Sequence, residues 1–152
     1  YMPYSKSYPK KQVALLCLWD EIGLPHSEKK QEFRSSLVII GFHVDPICMS
    51  LSIPYSARME MVTAICQFLD TSHSRRHPLK QWQQLLRWGN WAINVFPLLR
   101  PALQSSYLKI SGKTWLNAGI VLNCSVMRDL SWFADRVETT HGLHFFEDKE
   151  WD

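Results

Sequence analysis

One stretch of the sequence, residues 79–96, carries apolar side chains along a single helical face. These side chains recur at intervals of three and four, which is the period of an α-helix packed on one side. Pro97 follows directly, and a proline ends or kinks a helix because it lacks an amide proton. The face consists of Trp82, Leu85, Leu86, Gly89, Ala92, Ile93 and Phe96. A chain built around such a helix buries that face against other elements.

Other segments show helical periodicity with recognisable ends. Gly23 and Gly112 each follow a periodic segment, where glycine favours a helix stop. Asn123 precedes the last periodic segment, and an asparagine side chain is a good acceptor for the free amide protons of a helix start. We expect these helices over about residues 10–22, 55–70 and 100–110, and after residue 123.

Strand signals are fewer. Residues 37–42 form a continuous apolar run, and residues 49–53 alternate apolar side chains with serines, which is the period of a half-buried strand. Together they predict a β-hairpin with a loop of several residues, and Gly41 inside the first strand indicates a bulge or a close backbone approach. Short extended pieces are expected within residues 113–122 and 141–146.

These patterns predict an α+β fold that is predominantly helical, with a small antiparallel β-hairpin followed by a helical bundle. The chain has 152 residues, 46% of them hydrophobic, which suits one domain or two small lobes. Its net charge of +3 permits nucleic-acid binding without requiring it.

The four cysteines are far apart in the sequence and show no metal-ligand spacing. They are Cys17, Cys48, Cys66 and Cys124. This distribution argues against structural zinc and against a disulfide framework. A reducing compartment is therefore expected, the cytoplasm or the nucleus rather than the exterior. No apolar run approaches the length of a membrane span.

Motifs of independent enzymes are missing from the sequence. No Ser lies in a nucleophile elbow, the six Gly are scattered, and no Asp-Asp pair lies at a tight turn between apolar strands. The carboxylates therefore indicate solvated helix and loop positions rather than a two-metal site.

Basic and aromatic residues cluster around the start of the 79–96 helix. Arg75, Arg76, His77, Lys80 and Arg87 would neutralise phosphates, and the interleaved Trp82, Trp88 and Trp91 would stack on bases. The alternative is that Trp82 is core and the cations coat a solvated face. Trp88 and Trp91 do not both fit the apolar face, so at least one needs a second packing surface or a partner.

Several segments, in order, resemble retrotransposon reverse transcriptases. Ile22-Gly23-Leu24, Lys30-Gln31-Glu32-Phe33, Ile40-Gly41-Phe42 and Asn90-Trp91-Ala92-Ile93-Asn94-Val95-Phe96-Pro97 occupy the places of gypsy-type motifs. Four segments resemble fungal retroelement polyproteins of the DIRS-like kind more closely still. Their sequences are LCLWDEIGLPH, IIGFHVDP, NWAINVFPLLRPAL and DLSWFAD.

The resemblance implies a division of the chain. Residues 1–54 would be the C-terminal part of the polymerase palm with a primer-grip hairpin, and residues 55–112 a helical thumb. Residues 113–152 would be the connection toward an RNase H-like domain. Both ends are then expected to continue into a longer polyprotein, with the rest of the palm and the fingers upstream.

The resemblance also implies site residues. Lys30 matches the motif D lysine, a candidate general acid near the nucleotide phosphates, although Gln31 replaces the family's cysteine. Ile40, Gly41, Phe42 and His43 match the primer grip. The remaining nucleic-acid-binding candidates are Arg75, Arg76, Lys80, Gln81, Gln84, Arg87, Asn90 and Asn94.

The expected partner is an RNA–DNA or DNA duplex of primer and template, and no membrane. The Tyr-x-Asp-Asp turn is missing, so no cofactor is expected in this chain, and the Mg²⁺ of the parent enzyme would be bound upstream. We therefore expect these 152 residues alone to show no polymerase activity. The alternative is a domesticated or degenerate retroelement fragment that acts as a protein-interaction module, with its Trp-rich helix facing a protein.

Overall fold

The computed structural model describes residues 7–140 and 142–144. Within them lie five α-helices and six short strands, which confirms the α+β, mainly helical fold class. The helices are α1 (Lys10–Glu21), α2 (Tyr55–Leu69), α3 (Leu79–Ile93), α4 (Gln104–Ile110) and α5 (Cys124–Thr139). The strands are β1 (Leu37–Ile39), β2 (Phe42–Asp45), β3 (Ser50–Ser52), β4 (Arg76–Pro78), β5 (Gly119–Val121) and β6 (Leu143–His144). Two 3-10 helices cover Glu28–Lys30 and Pro97–Leu103.

The core lies among α2 to α5. The predicted apolar face of α3 is buried or half-buried along its length, and Trp82 and Phe133 are fully enclosed. α2 packs against α5, and the 3-10 helix Pro97–Leu103 packs against both α3 and α5. One hydrophobic core therefore joins the segment 55–112 to the segment that follows it.

The helix ends follow the sequence signals. Gly23 and Gly112 have φ angles of +70° and +72°, the left-handed region that glycine adopts without strain. The Asn123 side-chain oxygen accepts a hydrogen bond of 2.9 Å from the Val126 amide, as expected of an N-cap.

The prediction of one continuous strand over residues 37–42 was wrong. The chain reverses after Ile39, and Ile39 pairs with Phe42 across a two-residue turn. Both turn residues, Ile40 and Gly41, have positive φ angles of 51° and 83°, which is the signature of a tight type I′ hairpin turn. The result is a three-stranded antiparallel meander rather than a single hairpin, with β6 added beyond β3.

Residues 71–78 have a composition typical of a linker, but the structure gives part of them regular secondary structure. Their last part forms β4, which pairs antiparallel with β5, and the Leu122 amide donates to the Arg75 carbonyl at 2.8 Å. The ladder confirms the extended piece expected within residues 113–122. β6 confirms an extended piece within residues 141–146, of which residues 141, 145 and 146 lie outside the described part of the chain.

The segment before α2 is organised differently. Within residues 7–53, only Leu16 and Ile53 are buried. Phe42 and Leu51 pack against the core, and β3 pairs with β6. Of the helices that the structure describes, none has both the length and the apolar composition required to cross a membrane.

Candidate nucleic-acid interface

The side of α3 that points away from the core carries a row of residues at intervals of four, three, four and three. With 3.6 residues per turn, this spacing places them on one face. We call this row the α3 stripe, and it consists of Lys80, Gln84, Arg87, Trp91 and Asn94. All are exposed except Trp91, which is half-buried. The stripe thus presents two cations and two amides to solvent beside one indole.

Trp91 supports the turn between β1 and β2. Its ring stacks on Phe42 with 4.7 Å between ring centroids and 16° between planes. A Cβ atom at Gly41 would lie 3.0 Å from Trp91 Cζ2, so the close approach needs a glycine. The indole Nε1 donates a long hydrogen bond of 3.4 Å to the Ile40 carbonyl, so the turn lies directly against the Trp91 ring of the stripe.

The turn itself projects from the molecule. The Ile40 side chain is 85% exposed and its φ angle of 51° is rare for a β-branched residue. The structure thus brings Ile40, Gly41 and Phe42 to the α3 stripe. Adjacent residues of a strand face opposite sides, so His43 lies on the other side of the sheet from Phe42.

The far end of β2 is held by Asp45. Its carboxylate accepts hydrogen bonds from the amides of Cys48 at 3.0 Å and Ile47 at 2.9 Å. The Cys48 amide above all, and also Ile47 and nearby His43, hold the pKa of Asp45 below its usual value. The charge of Asp45 in turn raises the pKa of the Cys48 thiol.

Two predicted residues of α3 lie off the stripe. Gln81 lies on the flank toward α2, where its side-chain oxygen is 3.1 Å from His77 Nδ1. Asn90 lies on the opposite flank, where its side-chain amide donates to the Tyr107 hydroxyl of α4. The predicted set on α3 therefore faces three directions, and only the stripe lies beside the turn.

Arg75 and Arg76 lie at the entrance to α3, because β4 runs directly into that helix. Both are exposed, and the Arg76 amide donates to the Ser74 hydroxyl at 2.9 Å. They extend the positive charge of Lys80 at the N-terminal end of the stripe.

Lys30 lies apart, exposed at the end of the first 3-10 helix. Its neighbours contact the region of α1, since Tyr8 donates to the Glu28 carbonyl at 3.3 Å and Gln12 to Gln31 at 3.5 Å. Its assignment as a general acid therefore remains a prediction.

The tryptophans divide by burial. Trp82 is fully enclosed and meets Phe68 edge-on at 5.1 Å, so of the two interpretations left open by the sequence the core position is confirmed and stacking of this ring on a base is excluded. Trp91 has the second packing surface that its position required, the ring of Phe42. Trp88 is half-buried in a cleft between α2 and α3.

One feature of the sequence, the distribution of acidic residues, gains significance from the position of the stripe. Between Asp70 and Asp129 the chain has no Asp or Glu but eight Lys or Arg. These cations are Arg75, Arg76, Lys80, Arg87, Arg100, Lys109, Lys113 and Arg128. The stripe and both of its flanks on α3 and α4 come from this segment, so no carboxylate from it opposes a polyanion there.

Comparisons with protein-family models, curated proteins and solved structures each found no match to this chain. Among the residues that the structure describes, no three His, Cys, Asp or Glu side chains are grouped closely enough to hold a metal ion.

Proposed function

We propose that this chain is the primer- and template-positioning part of a retrotransposon reverse transcriptase, and that it holds a nucleic-acid duplex along the α3 stripe. One observation carries the proposal. The projecting Ile40–Gly41 turn packs against Trp91 of the α3 stripe, and the stripe itself lies within a segment, residues 71–128, that has no carboxylates.

The stripe suits a phosphate backbone. Lys80 and Arg87 are seven residues apart, so their backbones are separated by about 10 Å along the helix. This distance corresponds to about three phosphates of one strand at about 3.4 Å each along the duplex axis. Gln84 and Asn94 add amides that donate to phosphate or sugar oxygens, which position a duplex without reading its sequence.

The turn suits contact with the end of a strand. Ile40 presents an apolar side chain from a sparsely populated backbone conformation, and such conformations cluster at binding sites because the surrounding structure holds them. Here the supporting element is the Trp91 ring. Gly41 keeps the backbone accessible beside it.

The proposal leaves bond formation to the remainder of the polyprotein. The Tyr-x-Asp-Asp turn is missing from this sequence, so the proposal assigns Mg²⁺ binding to the upstream part of the polyprotein. Lys30 is the candidate general acid, and the compartment is the cytoplasm or the nucleus. In a primer-extension assay with Mg²⁺, this chain alone is expected to give no template-dependent product.

Binding to an RNA–DNA hybrid at several salt concentrations tests the proposal. The logarithm of the affinity should fall linearly with the logarithm of salt, because each neutralised phosphate releases counterions. Lys80→Ala and Arg87→Ala should each weaken binding and reduce the slope by about one. Lys11→Ala, which removes an exposed lysine of α1, serves as the matched control and should change neither. Equal losses in all three variants, or a flat slope, would contradict the proposal.

The second candidate is a domesticated retroelement fragment that binds a protein. It is favoured by apolar side chains exposed on and after α1, namely Leu15, Leu18, Ile22, Leu24 and Phe33. Large exposed apolar surfaces mark interaction sites. Absence of hybrid binding even at low salt would favour this candidate over the first.

A further inference from the structure

A cleft of about 410 Å³ lies between α2 and α3, next to the α3 stripe. Its walls include three glutamines and three rings, and no Asp, Glu, Lys or Arg is among the side chains that line it. The residues that matter are Gln67, Gln81, Gln84, Phe68, His77 and Trp88. The cleft therefore suits a neutral, planar ligand with both donors and acceptors.

Those properties describe a nucleobase. A glutamine amide offers one donor and one acceptor side by side, which matches the edge of a base. The half-buried Trp88 ring offers a stacking surface, and stacking on an aromatic ring is the main way in which unpaired bases are held.

His77 lies on the wall of the cleft between Phe68 and Gln81. The His77 ring stacks on Phe68 at 4.2 Å, and its Nδ1 lies 3.1 Å from the Gln81 side-chain oxygen. Its Nε2 is shielded from solvent and has no hydrogen-bond partner in the described part of the chain. The stacking and the His77–Gln81 contact hold these two polar side chains in place on the wall of the cleft, whereas the shielded Nε2 faces away from its open space.

Gln84 connects the cleft to the stripe. It lines the cleft and also lies on the stripe between Lys80 and Arg87. Because Gln84 belongs to both, a strand whose phosphates bind those two cations passes beside the opening of the cleft. A paired base is held in its stack, whereas an unpaired base turns outward readily.

From this arrangement we propose that the cleft receives one unpaired nucleobase of a strand whose phosphates bind the α3 stripe. The inference rests on the proposed function, and it adds a site that distinguishes paired from unpaired nucleic acid. Two hybrids of equal length provide the probe, one fully paired and one with a single unpaired nucleotide at the end of the duplex.

The unpaired nucleotide should raise affinity about tenfold, within the range measured for stacking of one base on an aromatic ring. Gln67→Ala and Trp88→Leu should remove this gain and leave affinity for the paired hybrid unchanged. Gln83→Ala and Trp132→Leu are the matched controls, because both side chains are exposed outside the cleft, and they should retain the gain. Gln67 is exposed, so its variant decides the question if Trp88→Leu fails to fold.

The outcomes separate the two proposals. Salt-dependent binding of the paired hybrid with no gain from the unpaired nucleotide overturns the cleft assignment and leaves the proposed function standing. A gain that persists in both Gln67→Ala and Trp88→Leu also overturns the cleft assignment. Failure of both hybrids to bind overturns the proposed function, and the cleft assignment with it.

Discussion

The helices from α2 to α5 and the segment before them are built in different ways. The helical region buries a continuous core that includes Trp82 and Phe133. Residues 7–53 bury only Leu16 and Ile53 and expose apolar side chains such as Leu18 and Phe33. The stability of the fold therefore comes mainly from the helices, whereas the stability of the segment before them depends on its contacts with the helical core.

The proposed interface lies at that attachment. Phe42 and Gly41 rest on Trp91, and the projecting turn follows the position of this ring. A rigid helix that carries cations thus orients a short sheet that has little core of its own. Variants in the core of the helices should therefore affect folding, whereas variants at the contact between Trp91 and the turn should affect the sheet and binding.

The largest effect is expected from Trp82→Ala. This ring is fully enclosed, and removing a buried aromatic side chain costs about 3–5 kcal/mol. The free energy of unfolding, measured with denaturant, should fall by that amount. Trp132→Ala is the matched control because Trp132 is 42% exposed, and it should cost about 1 kcal/mol or less. Equal losses in the two variants would mean that the core is not where the stability lies.

A smaller effect is expected from Trp91→Ala. It removes a half-buried ring and its stacking on Phe42, a loss of about 2 kcal/mol from burial and ring geometry. Amide exchange should accelerate in β1 and β2 and remain slow in α2 and α5. Uniform acceleration across both regions would show that the sheet and the helices unfold as one unit.

Gly41→Ala should be less costly again. The alanine must adopt a φ angle of 83°, which costs about 1–2 kcal/mol, and its Cβ would press on Trp91 at 3.0 Å. Gly23→Ala isolates the strain, because Gly23 has a similar φ angle of 70° and no atom near its Cβ position. Gly41→Ala should therefore lower the melting temperature more than Gly23→Ala. The reverse order would contradict the close contact with Trp91.

The smallest effect is a pH dependence of the loop between β2 and β3. The pKa of Asp45 in the folded chain lies below the ordinary value of 3.8. Its contribution to stability is therefore present above about pH 4 and is lost as the pH falls through the lowered pKa. Protection of the Ile47 and Cys48 amides against exchange, relative to the intrinsic rate at each pH, should fall in that window, and Asp45→Asn should abolish this pH dependence. Persistence of the dependence in Asp45→Asn would assign it to another group.

The helices were predictable because their signals are local. The apolar face of α3, the stops at Gly23 and Gly112 and the cap at Asn123 each depend on residues a few positions apart. The reversal at Ile40 was not, because a β-branched residue disfavours a positive φ angle and only tertiary contacts impose it. β4 escaped notice because its partner strand lies far along the chain.

The candidate site was predictable in part. Lys80 and Arg87 follow from charge clustering, and helical periodicity places them on one face with Gln84. The role of Trp91 depends on a contact with Ile40 and Phe42 about fifty positions earlier, which no local pattern encodes. The lack of Asp and Glu between Asp70 and Asp129 could have been found by counting charged residues along the sequence.

The most direct test of the account is an NMR titration of the methyl-labelled chain with an RNA–DNA hybrid at low salt. Ile40 and Ile47 lie at opposite ends of β2, and both are exposed, at 85% and 76%. If the turn and the α3 stripe bind the hybrid, the Ile40 methyl and Trp91 indole signals should shift at the same hybrid concentration, and the Ile47 methyl signal should not shift. A shift of Ile47 without Ile40, or no shift of Ile40 and Trp91 when the hybrid binds, would contradict it.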